Sequence, residues 1–139
     1  MTNETLAESY LKKAEARLKA LAVLKAEGAY SDVIREAQEL VELALKGVLR
    51  AIGVEPPKIH DVGPLLLEYR KKILPKLRDD VAGVAEISKR LRKERELAFY
   101  GDLDFVPTEE YSEDDADRAY ADAERVLTFA RRAIAPPRS

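Results

Sequence analysis

Apolar residues recur at three- and four-residue spacing through four separate segments of this chain, and glycine or proline closes each of them. That period is the signature of a helix with one buried stripe, and the alternation of period two that a half-buried strand needs occurs nowhere. Four long amphipathic segments and one short one therefore predict an all-α fold. The short connections make successive helices antiparallel, giving an up-and-down four-helix bundle with one additional short helix. The 139 residues suit one domain with a single core, residues 1–139, and no linker, repeat or low-complexity tract divides them.

In the first segment Thr5 and Glu8 form a capping box, and Leu6, Tyr10, Ala14, Leu18 and Leu21 make the stripe up to an exit at Gly28. Ser31 is the expected cap of the second helix, with Asp32 in its first turn. Ile34, Ala37, Val41, Ala44, Val48 and Ile52 form its stripe, and Val33, Leu40, Leu43, Leu45 and Leu49 widen it enough to predict burial on two sides. Gly47 inside this helix costs roughly 1 kcal/mol against alanine. Either a close helix approach or simple tolerance accounts for it.

Gly53 ends the second helix, and Pro56 and Pro57 stiffen the link after it. Asp61 is placed to cap a short helix from Val62 to about Leu74, with Pro64 in its first turn, and Pro75 separates it from the third long helix. His60, the only histidine, is either a hydrogen-bonding group at that helix entrance or the one imidazole able to transfer a proton at neutral pH. The last helix opens at Ser112 with Glu113, Asp114 and Asp115 where the helix dipole favours anions. Ala116, Ala119, Tyr120, Ala123, Leu127, Ala130 and Ile134 are its expected stripe, and Pro136 stops it.

The stretch from Leu77 to Asp102 carries the sharpest constraint. On a wheel of roughly 100° per residue, Leu77, Val81, Val84, Ser88, Leu91 and Phe99 share a sector with Arg95 in its middle. A guanidinium with a pKa above about 12 cannot shed its charge, so Arg95 requires an anion, a carboxylate or a watered groove. Glu39 or Glu42 of the second helix is one counterpart; a ligand or a second subunit is another. The loop after Tyr100 is about 11 residues long, more than a tight bundle needs, and loops of that length are often functional. Asp102 and Asp104 within it are the pair of carboxylates best spaced to meet a divalent cation, a weak signal on spacing alone.

Charge is polarised along the chain. From Arg70 to Arg95 there are ten Lys or Arg, Arg92 among them, against four acids; from Glu96 to Glu124 there are eleven acids and one base, Arg118. One reading is a basic groove following a phosphate backbone; the other is mutual neutralisation of adjacent helices or subunits. The overall charge of -2 gives no global attraction to nucleic acid or membrane. The absence of cysteine excludes disulfides and thiolate chemistry, and one histidine excludes a multi-histidine metal site within the chain. No metal or cofactor motif is present. With no apolar run of membrane length and no signal-like N-terminus, a cytoplasmic location is expected. One Asn and one Gln beside abundant Lys, Arg and Glu point to a hot habitat.

The text AEGAYSDVIREAQELVELALKGVLRAIGVEPPKIHDVGPLL, with its tyrosine-led helix, Glu-Leu-Ala-Leu-Lys core, Pro-Pro link and His-Asp entry, resembles prokaryotic HEPN domains. RLRKERELAFYGDLDFVPTEEYSEDDA resembles an archaeal-type branch of the same family. The likeness implies a bundle that forms homodimers, often beside a minimal nucleotidyltransferase in a toxin–antitoxin pair. Active members are metal-independent ribonucleases whose motif is an arginine followed, after four to six residues, by a histidine. Arg95 matches that arginine, but Tyr100, Gly101 and Asp102 occupy the three places open to the histidine. The resemblance thus implies a nucleotide- or RNA-binding or regulatory subunit with a degenerate motif. The alternative is a ribonuclease toxin using Arg95 with Tyr100 or His60. In some family pairs the nucleotidyltransferase adenylylates a tyrosine near the motif, which makes Tyr100 either an acceptor or a helix-end aromatic that packs on the loop. The candidate binding set is Arg92, Arg95, Tyr100, Asp102, Glu42 and His60, with Arg95 and Tyr100 the catalytic candidates.

Overall fold

The computed structural model describes residues 2–56, 58, 62–99, 106 and 110–134, with the side chains of 95–99 lying outside it. Five α-helices are present in this part: α1 (Asn3–Ala26), α2 (Tyr30–Ala51), α3 (Gly63–Glu68), α4 (Val81–Phe99) and α5 (Glu113–Ile134). Two 3-10 turns, Arg70–Lys72 and Pro75–Asp80, join α3 to α4. There is no strand among the described residues, and the all-α expectation holds.

α2 and α5 run parallel along the middle of the bundle, and both are antiparallel to α1 and α4. Lys25 near the end of α1 meets Asp117 near the start of α5 at 2.7 Å, while Glu15 meets Arg131 at 3.3 Å. On the other side Arg90 of α4 meets Asp122 of α5 at 2.8 Å. Because α2 has neighbours on several sides, Val33, Ala37, Leu40, Val41, Ala44, Leu45, Val48 and Leu49 are all essentially without solvent contact, and its doubly apolar sequence is explained. Leu77, Val81, Val84, Ser88 and Leu91 are buried as one face of the chain through α4, the sector that their helical spacing predicts.

Two reversals are built alike. After α1, Gly28 at φ 75° lets the Ala29 N–H reach the Leu24 carbonyl (2.9 Å). After α2, Gly53 at φ 79° lets the Val54 N–H reach Leu49 (2.8 Å). Each bond satisfies a carbonyl left over at a helix end. The first reversal is so tight that α2 starts at Tyr30, with Ala29 at the cap position and no side-chain cap; Ser31, the expected cap, is buried inside the first turn instead. α1 also starts earlier than expected. Thr2 is extended and accepts a bond from the Thr5 N–H at 3.1 Å, so Thr5 is three residues inside the helix it was expected to open.

The short helix is shorter than the expected 62–74. Pro75 disfavours helical backbone at Leu74, and Leu74 and Ile73 before it are both extended, which a helix cannot cross. Arg78 then closes the segment by donating to the Ile73 and Lys71 carbonyls at 3.0 and 2.8 Å. Among the described residues α4 spans 19 residues and α1 24. α5 opens as read from sequence: the Ser112 N–H donates to Asp115 Oδ2 (2.9 Å) and the Asp115 N–H donates to Ser112 Oγ (3.2 Å). No helix of the described residues is long and apolar enough to cross a membrane.

Candidate functional site

Polar groups gather where the C-terminal half of α4 faces the N-terminal half of α5. A cleft of about 120 Å³ there is floored by Ile34, Leu91 and Ala119, and its polar walls are Arg90, Glu94, Tyr111, Asp115 and Arg118. Helical repeat explains the walls. Arg90 and Glu94 are one turn apart on the side of α4 turned to α5, and Asp115, Arg118 and Asp122 succeed each other at three- and four-residue steps on the facing helix.

The cleft is held by bonds that cross between helices. The Tyr111 hydroxyl donates to Glu94 Oε2 at 2.9 Å, and the Arg90 guanidinium donates to Asp122 Oδ2 at 2.8 Å. Burial pushes the Tyr111 phenol well above its ordinary range, and the bond to Glu94 and the charges of Glu94 and Asp115 add to it. Tyr111 is therefore a neutral donor at any physiological pH. Arg118 forms no ion pair with a described residue, and it shares the cleft with the carboxylates of Glu94 and Asp115.

One ion pair, Arg90–Asp122, joins basic α4 to acidic α5 across the cleft. The bonds Arg90–Asp122 and Tyr111–Glu94 span 32 and 17 residues of chain. Such separations leave no periodic trace, which is why sequence reasoning does not single out Tyr111, Glu94 or Arg90. The only local signal is the position of Tyr111, immediately before the Ser112 cap.

Of the residues singled out from sequence, Glu42 is clearly seen: it is half-buried on α2, 3.1 Å from Lys46 Nζ and accepting from Gln38 Nε2 at 3.3 Å. Arg92 is half-buried, and by helical register it lies on the far side of α4 from Arg90 and the cleft. Arg95 belongs to the last turns of α4, one turn beyond Leu91, with its side chain outside the described part. His60, Tyr100, Asp102 and Asp104 lie outside the described residues altogether. Among the described residues no group of three or more His, Cys, Asp or Glu side chains converges as a metal site would.

Fold and cleft define a small helical-bundle domain whose polar machinery is concentrated around the C-terminal half of its third long helix. A family model for the HEPN domain matches residues 7–133, leaving only six residues at either end, and the chain belongs to the HEPN family. Comparison with curated proteins gives no match.

Proposed function

We propose that this HEPN domain acts as a homodimeric binding or regulatory subunit for nucleotide or RNA, beside a minimal nucleotidyltransferase in a toxin–antitoxin pair, and is not itself a ribonuclease. The observation that carries this reading is Tyr100 standing where the family's motif has its histidine, five residues after Arg95. A phenol with a pKa near 10 is a poor proton acceptor at neutral pH, whereas an imidazole near 6.5 is poised for it. Arg95 without that base binds phosphate or carboxylate but has no partner to activate a 2′-hydroxyl. The neighbouring cleft supports the binding role. It adds a guanidinium, Arg118, and fixed donors and acceptors around an apolar floor.

The test is incubation of the purified protein with single-stranded and structured RNA in EDTA. Intact RNA is expected. Cleavage that disappears in Arg95→Ala would instead establish the ribonuclease reading, with Tyr100 or His60 replacing the absent base. Co-expression with the nucleotidyltransferase encoded nearest in the genome should give a co-purifying complex, and intact-mass measurement of that complex reports whether Tyr100 acquires an adenylyl group. Sedimentation of the protein alone should show a dimer.

A further inference from the structure

We propose that a second surface, formed by α3, the two 3-10 turns and the outward side of α4, holds single-stranded nucleic acid through its phosphates. It extends the nucleic-acid part of the proposed function, on which it rests, to a face away from the α4–α5 cleft. The starting observation is which cations are paired. Arg90 and Lys25, which face α5, are neutralised at 2.8 and 2.7 Å. Arg70, Lys71, Lys72, Lys76, Lys89 and Lys93 are exposed and form no ion pair with any described residue.

These six are not scattered. Lys89 and Lys93 are one turn apart on the outward side of α4. The other four sit on the turns that lead into its N-terminus at Val81. From Val81 to Lys93 the helix rises about 18 Å at 1.5 Å per residue, so Lys93 lies well along α4 from the turns at its N-terminus. Lys89 also borders a groove of about 300 Å³ between α3 and α4, lined with it by Pro64, Leu67, Ala82, Ala85 and Glu86. At Gly63, in the groove lining, α3 lies close on α4: a β-carbon there would come within 3.2 Å of Ala85 Cβ.

Cations flanking a shallow apolar trough match a single strand, whose phosphates run along a basic track while its bases rest on apolar or aromatic surface. Tyr69, the residue after α3, carries Lys72 Nζ 5.4 Å from its ring centroid and adds an aromatic ring to the basic turns. Glu68, Asp79, Asp80 and Glu86 interrupt the positive field and mark where phosphates do not lie. A lipid surface fits less well. The exposed large apolar side chains of this face are two, Leu67 and Leu74, where a helix lying in a bilayer interface presents a whole apolar face.

The test is anisotropy of labelled 12-nucleotide oligo-U and oligo-dT with the full chain over a salt series. In the variant carrying Lys71→Glu, Lys72→Glu, Lys89→Glu and Lys93→Glu, affinity at low salt should fall at least about tenfold, and the log–log salt slope should shrink by about 3, four lost contacts at roughly 0.7 each. The corresponding quadruple Lys→Gln variant, milder for folding, should lose affinity in the same direction. As a control, Lys12→Glu with Lys19→Glu, exposed on α1 and away from this surface, should bind within about twofold of wild type. Loss on both strands, or on RNA alone, supports the surface and says which backbone it serves. Unchanged affinity in the charge variants overturns it, as does a wild type that binds neither strand, or a charge reversal that weakens binding to anionic phosphatidylserine vesicles more than to either oligonucleotide. If Arg95→Ala alone abolishes binding, the reading of the Arg95 site stands and this surface does not. If nothing binds but the nucleotidyltransferase complex forms, the partner reading survives without either.

Discussion

Gly47 of α2 lies so close to Ala7 of α1 that a β-carbon on it would sit 3.3 Å from the Ala7 carbonyl oxygen. The same β-carbon would meet Tyr10 Cβ at 3.3 Å and Ile134 Cδ1 at 3.0 Å, so three helices converge on this position. Close approach, not tolerance, accounts for a glycine in the middle of the most buried helix. Gly83 of α4 is the opposite case. A β-carbon there meets only the guanidinium of Arg125, at 2.5 Å from Nη2, and that exposed side chain is free to swing away.

The two glycines therefore respond with opposite sign to alanine. Gly83→Ala should gain about 0.5–1 kcal/mol from helix propensity. In Gly47→Ala the same gain is outweighed by overpacking of about 1–3 kcal/mol against backbone that cannot retreat. Urea denaturation of the two variants measures the contrast. A stabilised Gly47→Ala would show that α1 and α2 have room to separate.

Tyr111 and Glu94 give the cleft a pH dependence. The folded-state pKa of Tyr111 is raised above its unfolded value near 10. The neutral phenol is the form the fold prefers, so its contribution is fully present below about pH 10 and is lost as pH rises through the folded value. Tyr111→Phe should thus destabilise at pH 7, and the gap to wild type should narrow in strongly alkaline solution. Ultraviolet titration of phenolate absorbance should show one tyrosine ionising later than the others, and Glu94→Gln should bring it back toward them. A wild-type titration with no late tyrosine would mean that the bond to Glu94 is not kept in solution.

Such pairs show where sequence is informative and where it is silent. Glycine exits at 28 and 53, the Ser112–Asp115 cap and the apolar face of α4 rest on residues within a few positions of each other, so local rules are enough to place them. Helix starts are harder, because Thr2 and Thr5 compete for one cap and the Gly28 reversal leaves no room for a capping serine. Apolar spacing alone carries the short helix on to residue 74, whereas the chain leaves the α-helix after Glu68 and is extended at Ile73 and Leu74, the latter restricted by Pro75. The cleft is illegible for a different reason: which side of α4 faces α5 is decided by packing of the whole bundle. Arg90 and Arg92, two residues apart, consequently have opposite surroundings.

Gln38 offers a test of the buried polar row on α2. Its side chain is 4% exposed, its Nε2 donates to Glu42, and its Oε1 is buried with no hydrogen-bond partner among the described residues. An acceptor left without a donor in the interior costs about 1–3 kcal/mol. Gln38→Leu, nearly equal in volume, removes that cost, and Lys46 still balances Glu42 at 3.1 Å. Thermal melting should therefore place Gln38→Leu at or above wild type, while Gln38→Ala falls below it because a cavity is added. A marked loss in Gln38→Leu would show that Oε1 is satisfied in solution, by water or by a second subunit.

Arg95 separates a ligand site from a structural ion pair. A buried pair that loses one member costs about 3–5 kcal/mol, because the other charge is stranded. Glu42, one of the two α2 carboxylates, with Glu39, expected from sequence as a counterpart, already has Lys46 and Gln38 within bonding distance, so removal of Arg95 does not strand it. Arg95→Met should consequently cost less than about 1 kcal/mol in urea denaturation, and the double variant with Glu42→Leu should show little coupling, within about 0.5 kcal/mol of additivity. A binding arginine behaves in this way because its partner is a ligand absent from the unliganded fold. A loss of several kcal/mol, recovered when Glu42 is also removed, would make Arg95 part of the scaffold and leave the cleft between α4 and α5 as the remaining place for a ligand.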